Sequence, residues 1–171
     1  MASKNKPYLP AEDTYFLEDG IRGESGLLAL EIGTGPGYIT RVLERTFETV
    51  VGTDINLEVL RGRSGKLVCC DGAGALRNNF EVIVCNMPYL ATDEIDDIAT
   101  DGGPEGVVIP SRIIHSAIPR LAKGGRFYFV TSSLSNYTIL LKEVQKCGAK
   151  AEIIFRKKLF FEELLLVCCT V

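Results

Sequence analysis

The sequence predicts an α/β fold in which a mostly parallel, seven-stranded sheet ends in an antiparallel hairpin. Apolar runs recur along the 171 residues, and several are apolar at successive positions, which is typical of strands covered on both sheet faces. Patterns typical of helices separate most of these runs, as parallel connections require. The predicted strands comprise residues 27–32, 49–53, 66–70, 80–85, 126–131, 151–156 and 164–170.

Five helices are predicted before and between these strands. Gly124 and Gly148 stand where two of the helices would stop, because glycine readily adopts the left-handed conformation that ends a helix. Only residues 157–163 separate the last two strands, which leaves no room for a helix and therefore predicts the hairpin. The predicted helices comprise residues 11–19, 38–46, 56–61, 111–123 and 136–147.

The length and composition indicate one domain spanning residues 1–171, with a hydrophobic content of 46% that suffices for one core. No apolar stretch approaches the roughly 20 residues that cross a bilayer, and residues 1–6 are polar. We therefore expect a soluble protein of the cytoplasm, with the nucleus as a second compartment. The net charge of -3 argues against a protein that binds a nucleic-acid backbone directly.

The cysteines do not predict a metal site. None forms a CxxC pair, and His115 is the single histidine that could add an imidazole ligand. Two vicinal pairs lie inside apolar runs, so we expect small, reduced core residues. The cysteines are Cys69, Cys70, Cys85, Cys147, Cys168 and Cys169.

A strand-to-helix turn carries Gly33, Gly35 and Gly37 directly after the first predicted strand. Without side chains, the backbone can turn tightly and approach a ligand. In the dinucleotide-binding pattern the third glycine falls one position later. Glu31, two residues before Gly33, would repel a phosphate, and its carboxylate instead favours an ammonium group such as that of a methionine moiety.

Two further acids follow the next two predicted strands. Asp54 stands where a carboxylate can accept hydrogen bonds from both ribose hydroxyls, and Asp71 could accept one from an adenine amino group. Ordinary turns are the alternative for both, and Asp71-Gly72 is a common turn pair. Because ligands of parallel sheets bind along the carboxyl edge, the three acids together favour a methyl-donor nucleoside.

The segment Asn86-Met87-Pro88-Tyr89 follows the fourth predicted strand. The Asn86 side chain offers a carbonyl oxygen, and Pro88 keeps the Met87 carbonyl out of helical geometry. These acceptors could hold the two hydrogens of a planar nitrogen, on which Tyr89 could stack. An ordinary turn that contains proline is the structural alternative.

The tetrapeptide resembles the NPPY motif of HemK-type glutamine methyltransferases. Residues 10–17, Pro-Ala-Glu-Asp-Thr-Tyr-Phe-Leu, are similar to the N-terminal segment of the small eukaryotic and archaeal branch of that family. The resemblance covers nearly the whole chain. It implies a Rossmann-like class I methyltransferase fold, S-adenosylmethionine as cofactor, and methylation of the glutamine N5 in the GGQ loop of class 1 translation release factors.

The same resemblance implies roles for individual residues. The cofactor would contact Thr14, Glu31, Gly33, Gly35, Asp54, Asp71 and Asn86, and the glutamine would contact Asn86, Met87, Pro88 and Tyr89, of which Asn86, Pro88 and Tyr89 would be the catalytic residues. Met87 departs from the motif, where the family has its first proline. Some adenine dimethyltransferases carry an aliphatic residue there, so an adenine N6-methyltransferase stays open as an alternative, as does a cofactor-binding scaffold without catalysis.

In the strand order 3-2-1-4-5-7-6, typical of this fold, residues 66–70 form an outer strand behind an unusually short helix. An apolar edge of this kind invites pairing, although Lys66 and Arg63 could keep it unpaired. The resemblance implies a small zinc-binding activator subunit, which we expect to dock near residues 66–70. Residues 92–106, rich in acids, predict a solvated loop or a lid over the acceptor site.

Overall fold

The structure, a computed structural model, describes residues 9–171. Its main sheet has seven strands in the order β3-β2-β1-β4-β7-β9-β8, and a small second sheet pairs β5 with β6. The strands are β1 Gly26–Ile32, β2 Phe47–Asp54, β3 Lys66–Cys69, β4 Phe80–Asn86, β5 Leu90–Ala91, β6 Asp101–Gly103, β7 Leu121–Ser132, β8 Lys150–Lys158 and β9 Glu163–Thr170. The helices are α1 Glu12–Gly20, α2 Tyr38–Leu43, α3 Leu57–Leu60, α4 Val108–Ala117 and α5 Tyr137–Lys146.

The predicted fold class and strand order are confirmed. β3, β2, β1, β4 and β7 pair in parallel, whereas β9 is antiparallel to both β7 and β8. Parallel pairing brings the carboxyl ends of β1, β2 and β4 to one edge of the sheet. The turns that follow these strands are therefore neighbours in space.

The core lies on both faces of the main sheet, because successive strand residues point to opposite faces. Leu30 and Ile83 pack with α4 and α5 on one face. Their chain neighbours Ala29 and Val82 pack with α1 and α2 on the other. This two-sided burial explains why the central strands are apolar at successive positions.

The predicted helix over residues 111–123 is wrong at both ends. α4 begins at Val108, and Pro110 lies in its first turn, where a missing backbone N–H leaves no hydrogen bond unmade. A 3-10 turn, Ile118–Arg120, contains Pro119, and β7 already begins at Leu121, which pairs with Phe80. Gly124, predicted to stop the helix, lies inside β7 with a φ of 77°.

The helix predicted over residues 38–46 is also too long, since α2 ends at Leu43 and the chain turns through Thr46 to enter β2. α3 has only four residues, and Asn56 caps it by accepting a hydrogen bond from the Glu58 N–H. This helix is too short to cover the outer strand β3.

The cysteines are free thiols, as expected, but not all lie in the core. Cys85 and Cys169 are buried, and burial raises the pKa of both thiols. Cys69 is exposed, which corrects the prediction for that residue, because it lies on the outer strand β3. Within residues 9–171, no helix is both long and apolar enough to cross a bilayer.

Leu166→Ala tests the packing of this fold. Leu166 is fully buried on β9 against the α1 side of the sheet. We expect the truncation to lower the free energy of unfolding by about 2–5 kcal/mol, because a cavity replaces buried methyl groups. Urea denaturation measures the change. Leu27→Ala, at a leucine that is 60% exposed on β1, is the matched control with an effect below about 1 kcal/mol, and equal losses would contradict the assigned burial.

Candidate active site

A cavity of about 320 Å³ lies at the carboxyl ends of β1, β2 and β4. Its wall combines backbone from the glycine turn after β1, three carboxylates, two side-chain amides and several aliphatic side chains. Six of the predicted site residues line it: Gly33, Gly35, Asp54, Asp71, Asn86 and Pro88. The chain thus brings together residues that are more than fifty positions apart in sequence.

The glycine turn presents bare backbone to the cavity. Gly33 and Gly35 have φ angles of 72° and 45°, a conformation that other residues rarely adopt. A Cβ atom at either position would meet no atom within 4 Å, so the space beside both glycines is free for a ligand. The N–H groups of Gly33 and Thr34 both donate to the Thr53 carbonyl at 2.8 and 2.9 Å and thereby anchor the turn to β2.

Asp54 closes β2 with a carboxylate whose direction is fixed. Its Oδ2 atom accepts the Gly35 N–H at 2.9 Å, and its Oδ1 atom accepts the Asn56 N–H at 2.8 Å. Each carboxylate oxygen retains a further lone pair. The carboxylate therefore forms part of the cavity wall in a fixed orientation and can still accept hydrogen bonds from hydroxyl groups. This arrangement fits the diol of a ribose.

Glu31 lies beneath the glycine turn and is buried. Its carboxylate accepts hydrogen bonds from the hydroxyls of Thr34, at 2.9 Å, and Thr40. Burial raises the pKa of Glu31 to about 7, against the lowering effect of these hydrogen bonds. The structure places the carboxylate outside the cavity lining, so its contact with an ammonium group stays a prediction.

Arg63 connects the glycine turn to the segment before β3. Its guanidinium donates to the Gly35 carbonyl and to the Thr34 hydroxyl. A Cβ atom at Gly37 would collide with this guanidinium, which gives the third glycine a packing reason as well as its φ of 80°. The sequence interpretation treated Arg63 only as an edge charge, because nothing local links it to a turn 28 residues away.

Asp71 also reaches the cavity, where it forms an ion pair with Arg112 of α4. Both side chains are about half exposed, so the pair contributes little to stability. Gly72, in the left-handed region, packs against Ser116, whose hydroxyl accepts the Ala73 N–H at 3.0 Å. The strand end is thus tied to α4, and the contact of Asp71 with adenine stays a prediction.

Asn86 ends β4 with a side chain held on one side only. Its Nδ2 atom donates to the Thr14 hydroxyl at 3.4 Å, and Thr14 in turn lies in the first turn of α1. Its Oδ1 atom is buried and has no hydrogen-bond partner within the described chain. Leaving a buried acceptor unpaired costs about 1–3 kcal/mol, so this oxygen is poised to receive a donor from a ligand in the cavity.

The other residues of the tetrapeptide face different surroundings. Pro88 lines the cavity. Met87 is buried in the cluster with α4 and α5, and Tyr89 is buried in the cluster with α1 and α2, where burial raises the pKa of its hydroxyl. Neither side chain belongs to the cavity lining, so the stacking of Tyr89 on an acceptor and the contact of the Met87 carbonyl stay predictions.

The acidic segment 92–106 is ordered by hydrogen bonds within the segment. The buried Asp101 on β6 accepts the N–H groups of Asp96 and Asp97, both at 2.9 Å, and these hydrogen bonds lower its pKa. Two isoleucines of the segment, Ile95 and Ile98, line the cavity together with Asp97. Sequence reasoning missed these isoleucines, although their three-residue spacing within an acidic stretch was a readable signal.

Part of the aliphatic wall of the cavity comes from α4. Ile109 and Ile113, one turn apart, line the cavity beside Val59 of α3. Nowhere in residues 9–171 do three or more His, Cys, Asp or Glu side chains cluster in a way that could hold a metal ion. The described site therefore combines an apolar slot with acceptor oxygens, which suits an uncharged aromatic base and a hydroxyl-rich sugar.

No protein-family model matches the sequence. A relative from Methanocaldococcus jannaschii that is assigned as a protein N5-glutamine methyltransferase is 32% identical over 176 residues, covering 94% of this chain and 89% of that protein. The release factor glutamine methyltransferase of Bradyrhizobium diazoefficiens is 33% identical over 119 residues, or 56% of this chain. The match spans only 40% of that longer protein.

Among solved structures, the E. cuniculi Mtq2-Trm112 complex, described as responsible for methylation of the eRF1 translation termination factor, matches with a TM-score of 0.83. The identity is 28%, and the match covers 95% of this chain and 97% of the matched chain. The agreement therefore extends over nearly the whole length of both chains.

Glu31→Gln tests the buried carboxylate. In the unfolded chain the Glu31 proton leaves near its ordinary pKa of 4.5, but in the folded chain near 7. The folded state binds more protons between these values, so stability falls as pH rises through this window and levels off above it. The pKa shift corresponds to a loss of about 3 kcal/mol in the free energy of unfolding across this window. We expect Glu31→Gln to lack this pH-dependent loss, because glutamine does not titrate.

Urea denaturation at about pH 5 and about pH 8 measures the difference between wild type and Glu31→Gln. Glu48→Gln, at an exposed position of β2, is the matched control and retains the wild-type pH dependence. An unchanged fall in stability in Glu31→Gln would show that the carboxylate does not titrate in this window.

Proposed function

Because the chain belongs to the family of protein N5-glutamine methyltransferases, we propose that it methylates the side-chain amide of the glutamine in the GGQ loop of a class 1 translation release factor. The observation that carries this proposal is the buried, unpartnered Oδ1 atom of Asn86 on the cavity wall. A primary amide is a neutral donor of hydrogen bonds and can satisfy that oxygen.

The cofactor is S-adenosylmethionine, which supplies a methyl group already activated on a sulfonium sulfur. Asp54 is placed to accept the ribose hydroxyls, and the bare backbone at Gly33 and Gly35 leaves room for the methionine part. The aliphatic slot formed by Ile109 and Ile113 suits the adenine ring. The residues present therefore fit this cofactor.

The protein contributes the position of the acceptor nitrogen. An amide nitrogen is a poor nucleophile because its lone pair is conjugated with the neighbouring carbonyl. Asn86 Oδ1 can accept one of its hydrogens, fix the direction of the lone pair and stabilise the positive charge that develops on nitrogen. The hydrogen lost after transfer leaves to solvent, because a protonated amide is strongly acidic, so no general base is needed.

Adenine N6-methylation is the competing reaction at such a site. The cavity mouth supports the protein substrate, since Asp97 lies on the lining and the whole segment 92–106 carries acids without a basic residue. A nucleic-acid backbone would be repelled there. A peptide loop with basic neighbours would be attracted.

We also propose that a small, zinc-binding activator docks on the outer strand β3. Support comes from the four-residue helix α3, which leaves apolar surface beside this strand, including Leu57 at 49% exposure and the exposed Cys69. The matched E. cuniculi chain is described in complex with Trm112. Covering this edge would also remove an unpaired strand that could aggregate.

We also propose that the chain forms a single domain and that the protein is located in the cytoplasm, with the nucleus as a second compartment. The described residues share one main sheet with a core on each face, which supports one domain. Translation termination takes place in the cytoplasm, so we place the protein there.

Asn86→Ala tests the proposed acceptor site. We expect kcat for release-factor methylation to fall at least about 100-fold, because the oxygen that orients the amide is lost. The affinity for S-adenosylmethionine stays within about threefold, since this oxygen serves the acceptor rather than the donor. Transfer of a labelled methyl group measures turnover, and calorimetry measures affinity.

Two controls accompany this test. Asn136→Ala removes an asparagine whose side chain bonds only to Thr138 among the hydrogen bonds described, and it retains full turnover. A release factor with alanine at the GGQ glutamine accepts no label from the wild-type enzyme. Full turnover in Asn86→Ala, or labelling of RNA or DNA alone, would refute the proposed function.

Leu57→Glu and Cys69→Glu test the partner edge. Both positions are exposed, so the variants should fold, but a charge at either should weaken binding of the small activator at least about tenfold through desolvation. Leu134→Glu is the matched control. Leu134 is as exposed as Leu57, but it follows β7, which is separated from β3 by three strands of the sheet. Copurification measures binding, and undiminished capture of the activator by both variants would place its site elsewhere.

A further inference from the structure

Two adjacent phenylalanines form the tip of the β8–β9 hairpin. Phe160 and Phe161 are 91% and 84% exposed, more than any other large apolar side chain in residues 9–171. Their rings meet edge to face with centroids 4.6 Å apart. Water-exposed aromatic rings of this kind contribute nothing to the core, and an adjoining pair forms an apolar knob.

The turn itself makes the two phenylalanines unusual. Lys158 pairs with Glu163, and the Leu159 N–H donates to the Glu162 carbonyl at 2.8 Å. Phe160 and Phe161 are therefore the two central residues of a tight turn, where glycine, asparagine and aspartate usually stand. Local turn chemistry does not favour phenylalanine at these positions, which indicates another use for the rings.

The hairpin holds the tip firmly. Ser133 and Glu163 exchange two hydrogen bonds of 2.9 Å, which fix the start of β9 to the loop after β7. Lys157 also forms a 2.6 Å ion pair with Glu12 in the first turn of α1, but both side chains are largely exposed, so this pair adds little to the support. The rings are thus presented on a supported element, so little order must be gained when they bind a partner.

The tip lies on the same edge of the sheet as the cavity. Across the strands, Asn86 is level with Val130, Val130 with Leu166, and Leu166 with Phe155. β8 runs in the same direction as β4, so beyond Phe155 the hairpin extends towards the edge of the sheet that carries the cavity. With strand spacings of about 4.8 Å and a rise of about 3.3 Å per residue, the tip lies about 20 Å from Asn86.

We propose that the Phe160–Phe161 tip is a second contact for the folded protein that carries the acceptor glutamine, and that it inserts into an apolar depression of that protein. This inference rests on the proposed function. A distance of about 20 Å fits within a standard protein interface of about 800 Å² per partner, but exceeds the reach of a single side chain in the cavity.

Charge around the two contacts defines the partner further. On the hairpin, Arg156 pairs with Glu163 and Lys157 pairs with Glu12, and Glu162 follows the rings, so the flanks of the tip carry no clear excess of either charge. The acidic segment 92–106 adjoins the cavity. The substrate surface should therefore be basic beside its glutamine and apolar where it receives the rings.

The double variant Phe160→Ser with Phe161→Ser tests this inference with the complete enzyme and its activator. We expect KM for the release factor to rise at least tenfold, while kcat at saturation and the affinity for S-adenosylmethionine change less than twofold. Both rings are exposed, so the melting temperature should be unchanged. The conservative variant Phe160→Leu with Phe161→Leu should restore KM to within threefold of wild type.

Leu27→Ser, an exposed leucine at the opposite edge of the sheet, is the matched control and leaves KM unchanged. An unchanged KM in the serine double variant overturns the inference, as does a fall in kcat with KM unaltered. The wild type could instead self-associate or bind vesicles, and the double variant could abolish this without a change in KM. That result would assign the tip to another copy of the chain or to a lipid surface and would also overturn the inference. If wild type fails to methylate the release factor, the proposed function itself fails.

Discussion

The site depends on one constraint: a side-chain oxygen is held at the end of a buried strand without a partner of its own. Asn86 closes β4, the strand between β1 and β7 at the centre of the sheet, and it pairs with Val130 of β7, directly after Cys85 has paired with Ile32 of β1. Thr14 engages only the amide nitrogen, and Oδ1 has no hydrogen-bond partner within residues 9–171. Folding thus accepts a local cost that a bound amide can offset.

The donor side of the cavity is organised by contacts that run beneath it rather than within it. The carboxylate of Glu31 holds Thr34 and Thr40, and the guanidinium of Arg63 holds the Gly35 carbonyl. These groups fix the glycine turn while its outer surface stays bare. The turn is therefore held rigid by contacts on its protein side, while its backbone on the cavity side is free to contact a ligand. Such a turn can position a ligand with little loss of conformational entropy.

Much of this architecture could be predicted from the sequence because it follows from patterns along the chain. The terminal hairpin and the cavity position of Gly33 and Asp54 were predicted from apolar periodicity, the glycine pattern and the carboxyl-edge rule. The strand order and the role of Asn86 were predicted from the resemblance to a known fold and motif. The end of α4 was not, since Pro119 and pairing with β4 decide it. Arg63 was missed as a support for the turn because its contacts are long-range, and the burial of Tyr89 depends on the packing of α1.

The most direct measurement is a crystal structure of the enzyme with S-adenosylhomocysteine and a peptide that carries the acceptor glutamine. The account predicts a distance of about 2.7–3.2 Å between Asn86 Oδ1 and the amide nitrogen of the glutamine, with that nitrogen facing the sulfur. An Asn86 side chain turned away from the amide, or a cavity filled by a different nucleotide, would contradict it.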